Sequence, residues 1–372
     1  MDSQLETGDR GAANGTQDTK RKDHVGRRRF LASGLVTAGA AALGTGVSAS
    51  SSAPAAARED EVVRNTHGTP LRRFGRTGWV LPVFGAGGSA MVDRFSAAYN
   101  VQLSSIEERA KMVRHAYDRG VRYFDTARIY GESESIMGRG LEGVRKNVYL
   151  ATKAHTANPA SVRKSVETSL AELKTDYLDC VQVHSPAIEA VGFERSMKLH
   201  AELVKLRDEK LIKCIGLTTH VAFETVHKMI ATGGFDQVLL AYGYFRKGMD
   251  TLLSNKNLEF REMCLAKAHK LGMGIVAMKV LGASVFSHAA SRLLPEYDKA
   301  AREKLPAAAI RWVVRDERIS VLNSGISMPE DIDRNIEILK QALEYTNDDH
   351  QLLADFSRRA YETAGMKEMR TV

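Results

Sequence analysis

Asp125, Tyr130, Lys153 and His184 are the side chains with which this chain could do chemistry, and their placement singles them out. Asp125 closes a short apolar run, YFD, and Tyr130 follows five residues later at the mouth of the next helical segment. A carboxylate at a strand's end and a phenol across the following turn can face one another. Lys153 closes NVYLATK and His184 closes YLDCVQVH in the same way. An acid, a phenol, an ammonium and an imidazole are groups that hold and pass protons. At three successive strand ends they imply strands that deliver their tips to one shared site, as parallel barrels do at their carboxyl face. Taken singly, each has a plainer reading: Asp125 a helix cap, Tyr130 a packed loop aromatic, Lys153 a solvated strand end, His184 a satisfied core histidine. The joint pattern carries the chemistry.

The elements that must position these groups alternate in kind. Short apolar runs at residues 83–85, 123–125, 148–153, 178–184, 214–218 and 237–241, then GIVAMKV and ISVLNSGI, read as eight strands. Helical patterns follow them at 105–119, 133–141, 160–173, 194–209, 223–231, 258–271, 305–314 and 329–343. Ser105 with Glu108 forms a capping box, and Val162, Val166, Ser169, Leu170 and Leu173 mark one face of a helix. Residues 282–303 read as an irregular loop. Strands joined through helices run parallel, because antiparallel neighbours need no crossover. A doubly wound open sheet shares the alternation, but the polar strand tips and the absence of a GxGxxG turn favour closure. The expected fold is α/β, a (β/α)8 TIM barrel over residues 61 to 372. LRRFGRTGWVLP adds an N-terminal β-hairpin that could plug the floor, and residues 348–364 an extra C-terminal helix. A barrel needs about 250 residues, so the 372 present hold one barrel and an extension.

Composition narrows the class. The formal charge is +8, but acidic and basic residues are interspersed after residue 70, with no aromatic-interleaved basic tract. Nucleic acid is therefore not an expected partner. Cys180, Cys214 and Cys264 lie singly and read as small buried hydrophobes rather than disulfides. No histidine or carboxylate pair has ligand spacing outside the four strand-tip groups, so no metal is implied. Residues 1 to 60 differ from the rest. A polar, aperiodic stretch precedes Arg27, Arg28 and Arg29, then Phe30, Leu31 and a weakly apolar Ala- and Gly-rich segment with candidate cleavage positions at Ala49 and Ala57. This reads as disorder followed by a twin-arginine export signal and linker. The chain is accordingly expected to engage the twin-arginine machinery and to be exported to the periplasm; an uncleaved anchor and a cytoplasmic basic tail are the alternatives.

The run FDTARIYGESESIMGRGL, followed by NVYLATK, SVRKSVETSLAELKTDYLDCVQVHSP and IKCIGLTTH, resembles the aldo/keto reductases over nearly everything after residue 70. The resemblance implies hydride transfer between a nicotinamide cofactor and the carbonyl or alcohol of an aldehyde, ketone or sugar-like substrate. In it Tyr130 is the general acid, and the Lys153 ammonium favours its phenolate. Asp125 holds the lysine, and His184 orients the substrate oxygen. Cofactor contacts are implied at Thr218 and Thr219 for the carboxamide, with Thr219 where asparagine is usual. Met278 stands where an aromatic platform is common, and Leu239 where glutamine is. Lys279, Leu281 and Gly282 lie along the pyrophosphate path, Ser327 at a phosphate and Asn335 at the adenine. Ile326 and Asp331 occupy places where relatives often have basic residues for the 2′-phosphate, and Arg334 is the substitute. NADP(H) is the expected cofactor, with NAD(H) the alternative. A cofactor-binding redox sensor or regulatory barrel is the competing function; intact Tyr130 and Lys153 argue against it. Glycoside hydrolysis needs two carboxylates about 5–10 Å apart, and Asp125 stands alone. The loops at 86–104, 243–256 and 282–303 carry no motif that names a substrate, and oligomeric state is not readable.

Overall fold

The structure is a computed structural model that describes residues 62–92 and 104–372. All of them belong to the second of the two units into which the chain divides, Glu59–Val372. The disorder, export signal and linker expected over residues 1 to 60 lie outside the described residues, Arg27 to Leu31 among them.

An antiparallel hairpin, β1 (Leu71–Arg73) and β2 (Val80–Pro82), precedes the barrel. The barrel begins with β3 (Phe84–Gly87) and α1 (Ile106–Asp118), then β4 (Tyr123–Asp125) and α2 (Ser133–Gly140). It continues through β5 (Tyr149–Ala154), α3 (Val162–Glu172), β6 (Leu178–Val183) and α4 (Ser185–Asp208). Next come β7 (Ile212–Thr219), α5 (Phe223–Ala231), β8 (Gln237–Ala241) and α6 (Asn255–Lys270). β9 (Gly274–Met278) leads through α7 (Ala290–Leu293) to α8 (Lys299–Val314), and β10 (Val321–Gly325) to α9 (Pro329–Lys340). Two helices, α10 (Asn347–Tyr361) and α11 (Ala364–Lys367), complete the chain. Strands β3 to β10 pair in parallel and in chain order, and β10 closes on β3 through Leu322↔Phe84 to Gly325↔Gly87. This is the (β/α)8 barrel expected from the alternation, with its hairpin and C-terminal helix. No helix among the described residues is long and apolar enough to cross a membrane.

The inward-facing residues form two zones. Near the amino ends of the strands, Tyr123, Tyr149, Cys180, Leu239, Val276 and Val321 make a dry plug with Phe74 and Leu81 of the hairpin. The Phe74 ring meets Tyr123 and Tyr149 edge-on, with centroids 5.7 and 5.0 Å apart. Burying such a ring contributes about 1.5–3 kcal/mol. The hairpin turn reaches that depth because Gly75 has φ +53° and a Cβ there would stand 2.4 Å from the Gly274 nitrogen. Two residues further along β4, β6 and β10 the lining becomes polar, with Asp125, Gln182 and Asn323, since side chains two apart share a face.

The boundaries that differ from the sequence reading have local causes. β3 runs on to Gly87 because its glycines pair with β10 rather than forming a loop. α4 begins immediately after His184, well before residue 194, with Pro186 in its first turn and a break at Gly192 (φ 68°, ψ −168°) that hid the helical period. α8 begins at Lys299 rather than Leu305, because the Asp298 carboxylate caps it by accepting the Ala301 N–H at 2.7 Å. Pro306 sits inside it. The three cysteines are unbridged, with Cys180 and Cys264 buried and Cys214 half-buried.

Candidate active site

The loop after β4 is pinned before it presents Tyr130. Thr126 donates its hydroxyl to Ser133 Oγ at 2.8 Å, and Ser133 donates to the Gly88 carbonyl at 3.1 Å. Glu134, buried, accepts from Thr152 at 2.6 Å and pairs with Arg128. Tyr130 itself closes a turn, its N–H donating to the Ala127 carbonyl at 2.9 Å.

Behind it, Lys153 Nζ lies 2.5 Å from Asp125 Oδ2 and donates to the Thr126 carbonyl at 2.6 Å. The two side chains are only 2% and 3% exposed, so the pair is screened from water. Gln182 Nε2 donates to the other carboxylate oxygen at 2.7 Å, and Asn323 Nδ2 reaches Oδ2 at 3.4 Å. Burial pushes the Asp125 carboxyl up from its ordinary value; the Lys153 charge and these amides pull against that. The Lys153 ammonium stands 5.0 Å from the centre of the Tyr130 ring. The His184 ring meets Tyr130 edge-on at 6.1 Å, with His155 on its other side at 6.0 Å. Burial first, then the positive charge of Lys153, holds the His184 imidazole well below its usual value, so it is neutral around pH 7. Its buried Nδ1 has no hydrogen-bond partner among the described residues. The four residues named from the sequence are thus brought together at the carboxyl ends of β4, β5 and β6.

A cleft opens beside them, lined by Asp125 and Tyr130 at one end and by Ser327, Asp331, Arg334 and Asn335 at the other. Met278, Lys279 and Leu281 form its floor with Leu239. Thr218, Thr219 and Gly282 do not line it. Thr218 faces the barrel but accepts the Ser185 N–H at 2.8 Å, fastening the start of α4. Thr219, one residue on, turns to the opposite face by the strand period, where its hydroxyl is buried without a hydrogen-bond partner among the described residues. Their neighbour His220 lines the cleft instead. Burial, then Lys279 and Lys153, keeps its imidazole well below the usual value. Gly282 makes the turn behind the floor with φ +62°, its N–H donating to the Lys279 carbonyl at 2.8 Å. Three non-glycine residues in that loop, Lys279, Ala283 and Ser284, also have positive φ. Such residues cost about 1–3 kcal/mol each and cluster where ligands are clamped. Burial, reinforced by Lys247, pushes the Lys279 ammonium down to about 8.

The aldo/keto reductase family model matches residues 96–358, more than half of the chain. The chain belongs to the aldo/keto reductase family. It is 26% identical to L-galactose dehydrogenase of Arabidopsis thaliana, over 77% of this chain and 92% of that one. It is 34% identical to 6-dehydroglucose reductase of Novosphingobium aromaticivorans over 23% of this chain and 34% of that protein, a shorter match. An aldo-keto reductase from Bacillus halodurans in its holo form superposes with a TM-score of 0.60 at 17% identity, covering 80% of this chain and 99% of that one. The last likeness speaks for the fold alone.

The cleft of this aldo/keto reductase fits the dinucleotide that the family uses. Asn335 Oδ1, Arg334 Nε, Asn323 Oδ1 and His220 Nδ1 are buried, have no hydrogen-bond partner among the described residues, and belong to residues that line it. Buried polar atoms of that kind call for a polar ligand. The free backbone donors at the start of α9 favour a phosphate, and Leu239 with Met278 offers a flat apolar wall for a ring. Four side chains of the site escaped the sequence reading. Gln182 and His220 were readable, since each lies two residues from a named inward residue, His184 and Thr218. Asn323 and His288 had no such signal.

Proposed function

We propose that this oxidoreductase reduces the carbonyl of an aldehyde, ketone or sugar-like substrate, or oxidises the corresponding alcohol, with a nicotinamide dinucleotide in the cleft. The observation that carries the proposal is the Tyr130 phenol at the cleft's end with the buried Lys153–Asp125 pair directly behind it. Bound there, the dinucleotide supplies a hydride to the substrate carbon or takes one from it. Tyr130 gives its phenolic proton to the carbonyl oxygen, and in the reverse direction its phenolate takes the alcohol proton. Lys153 stabilises that phenolate by its charge, and Asp125 fixes the ammonium in place. Neutral His184 has one ring N–H to donate, which orients the substrate oxygen beside the phenol. Met278, Lys279, Leu281 and Asn335 would hold the cofactor, with Ser327 and Arg334 lining the cleft at its adenosine end. Thr218 and Thr219 act indirectly, by shaping the β7 end that presents His220.

The names of the plant and bacterial relatives support a sugar or sugar-derived carbonyl. The test is a turnover assay of the purified protein with NADH and with NADPH against aldoses, sugar lactols, small aldehydes and quinones. Multiple turnovers with a sugar-like substrate are expected. Dinucleotide binding followed by a single burst and no further turnover across the whole panel would instead identify a redox sensor.

Export is proposed on the sequence of residues 1 to 60. A folded barrel carries its cofactor across a membrane only by a route that accepts folded protein, which is what a twin-arginine signal addresses. Fused to a folded fluorescent reporter, residues 1 to 60 are expected to deliver it to the periplasm, and Arg27→Lys with Arg28→Lys to retain it inside. A wild-type fusion found wholly in the cytoplasmic fraction would refute the assignment.

A further inference from the structure

The adenosine end of the cleft is organised around a carboxylate. Asp331 lies in the first turn of α9, is 3% exposed and lines the cleft. Three donors converge on it: Ser327 Oγ at 3.1 Å and His288 Nε2 at 2.9 Å on Oδ2, and the Arg334 guanidinium at 2.7 Å on Oδ1. Burial works against its charge, but the hydrogen bonds from His288 and Ser327 and the charge of Arg334 outweigh it, holding the carboxyl below its ordinary value. Asp331 is therefore ionised at neutral pH. His288 comes from the segment after β9 and Asp331 from α9, so their contact joins the two walls of the cleft.

Ser327 and Arg334 are the two side chains that the sequence offered to a phosphoryl group, and both are turned to this carboxylate instead. A ribose 2′-phosphate placed here would meet an anion at close range. Arg334 keeps guanidinium N–H groups that could reach it, but its charge is already paired with Asp331 at 2.7 Å, so it adds little net attraction for a second anion. Lys111 lines a second groove that Ser327 also borders, and shares it with Glu108 and Glu330. A ribose 2′-hydroxyl meets the opposite situation. It is a donor, and an ionised carboxylate has about four lone-pair positions, of which the three hydrogen bonds occupy three. Carboxylates near the ribose select the unphosphorylated dinucleotide in other nucleotide-binding folds for the same reason.

We infer that Asp331, set by His288 and Arg334, makes this enzyme select NAD(H) over NADP(H), reversing the preference expected from the sequence. The inference rests on the reading of the cleft as the dinucleotide site. It is tested by titration calorimetry of the purified protein with NADH and with NADPH, without substrate, on the wild type, Asp331→Asn and Asp331→Ser. The wild type is expected to bind NADH at least tenfold more tightly, and both variants to lose most of that difference, chiefly by binding NADPH better. Equal or tighter binding of NADPH by the wild type overturns the inference, and this comparison needs no variant to fold. A preference for NADH that persists undiminished in two folded variants removes Asp331 from the role. Failure of the wild type to bind either dinucleotide defeats the reading of the cleft itself.

Discussion

Replacing Tyr130 with phenylalanine is expected to lower kcat for carbonyl reduction by about 10²–10⁴-fold, the usual contribution of a placed general acid, while dinucleotide affinity is unchanged. The reason lies in the position of the lost hydroxyl. The Tyr130 ring lies 5.0 Å from the Lys153 ammonium and 6.1 Å from the His184 imidazole, at the end of the cleft where substrate must sit. Phenylalanine keeps the ring and its packing and removes only the hydroxyl, and with it the proton to be given. Steady-state rates with NADH and NADPH, alongside direct titration of the cofactor, separate the two effects. Near-normal turnover in a folded Tyr130→Phe variant would transfer the acid's role to another group, and neutral His184 would be the first to examine.

Lys153→Met is expected to remove activity and also to destabilise the barrel by about 3–5 kcal/mol, the range for breaking a buried ion pair by deleting one partner. Asp125 would keep Gln182 and Asn323 but lose its cation, 2.5 Å away in the wild type. Burial already raises its carboxyl, and without Lys153 it rises further. A carboxyl whose folded value lies above its unfolded one is favoured in the fold when protonated. The variant's deficit is therefore smallest below the ordinary carboxylate range and grows as the pH rises through the raised value. The double variant Asp125→Asn with Lys153→Met has no stranded charge, so its stability should recover while its activity does not. Urea denaturation of the two single variants and the double at pH 5 and pH 8 measures this. If Lys153→Met unfolds at the wild-type midpoint at both pH values, the pair contributes no stability and the role assigned to Asp125 fails.

How far the site could be read from the chain depends on how local each signal is. Asp125, Lys153 and His184 were visible because each ends an apolar run, and the strand period then puts Gln182 in line with His184 and His220 in line with Thr218. The same period explains why Thr218 and Thr219 do not share a face. Thr218 went to the Ser185 N–H, a contact between two neighbouring strand ends that neither run of residues announces. The early starts of α4 and α8 were hidden by Gly192, Pro186 and Pro306, which interrupt the period without ending the helix.

By itself the sequence determined the order of strands and helices, which side chains stand at the strand tips, and the chemistry those tips share. Backbone periods of 2 and 3.6 residues act over a few positions, and they survive in any fold that uses the segment. Only the closed barrel decided which way Ser327 and Arg334 turn. Their partner Asp331 is steadied by His288, a residue 43 positions away in a segment with no period at all. That contact exists because β10 lies beside β9 and brings the segments that follow them to facing walls of one cleft.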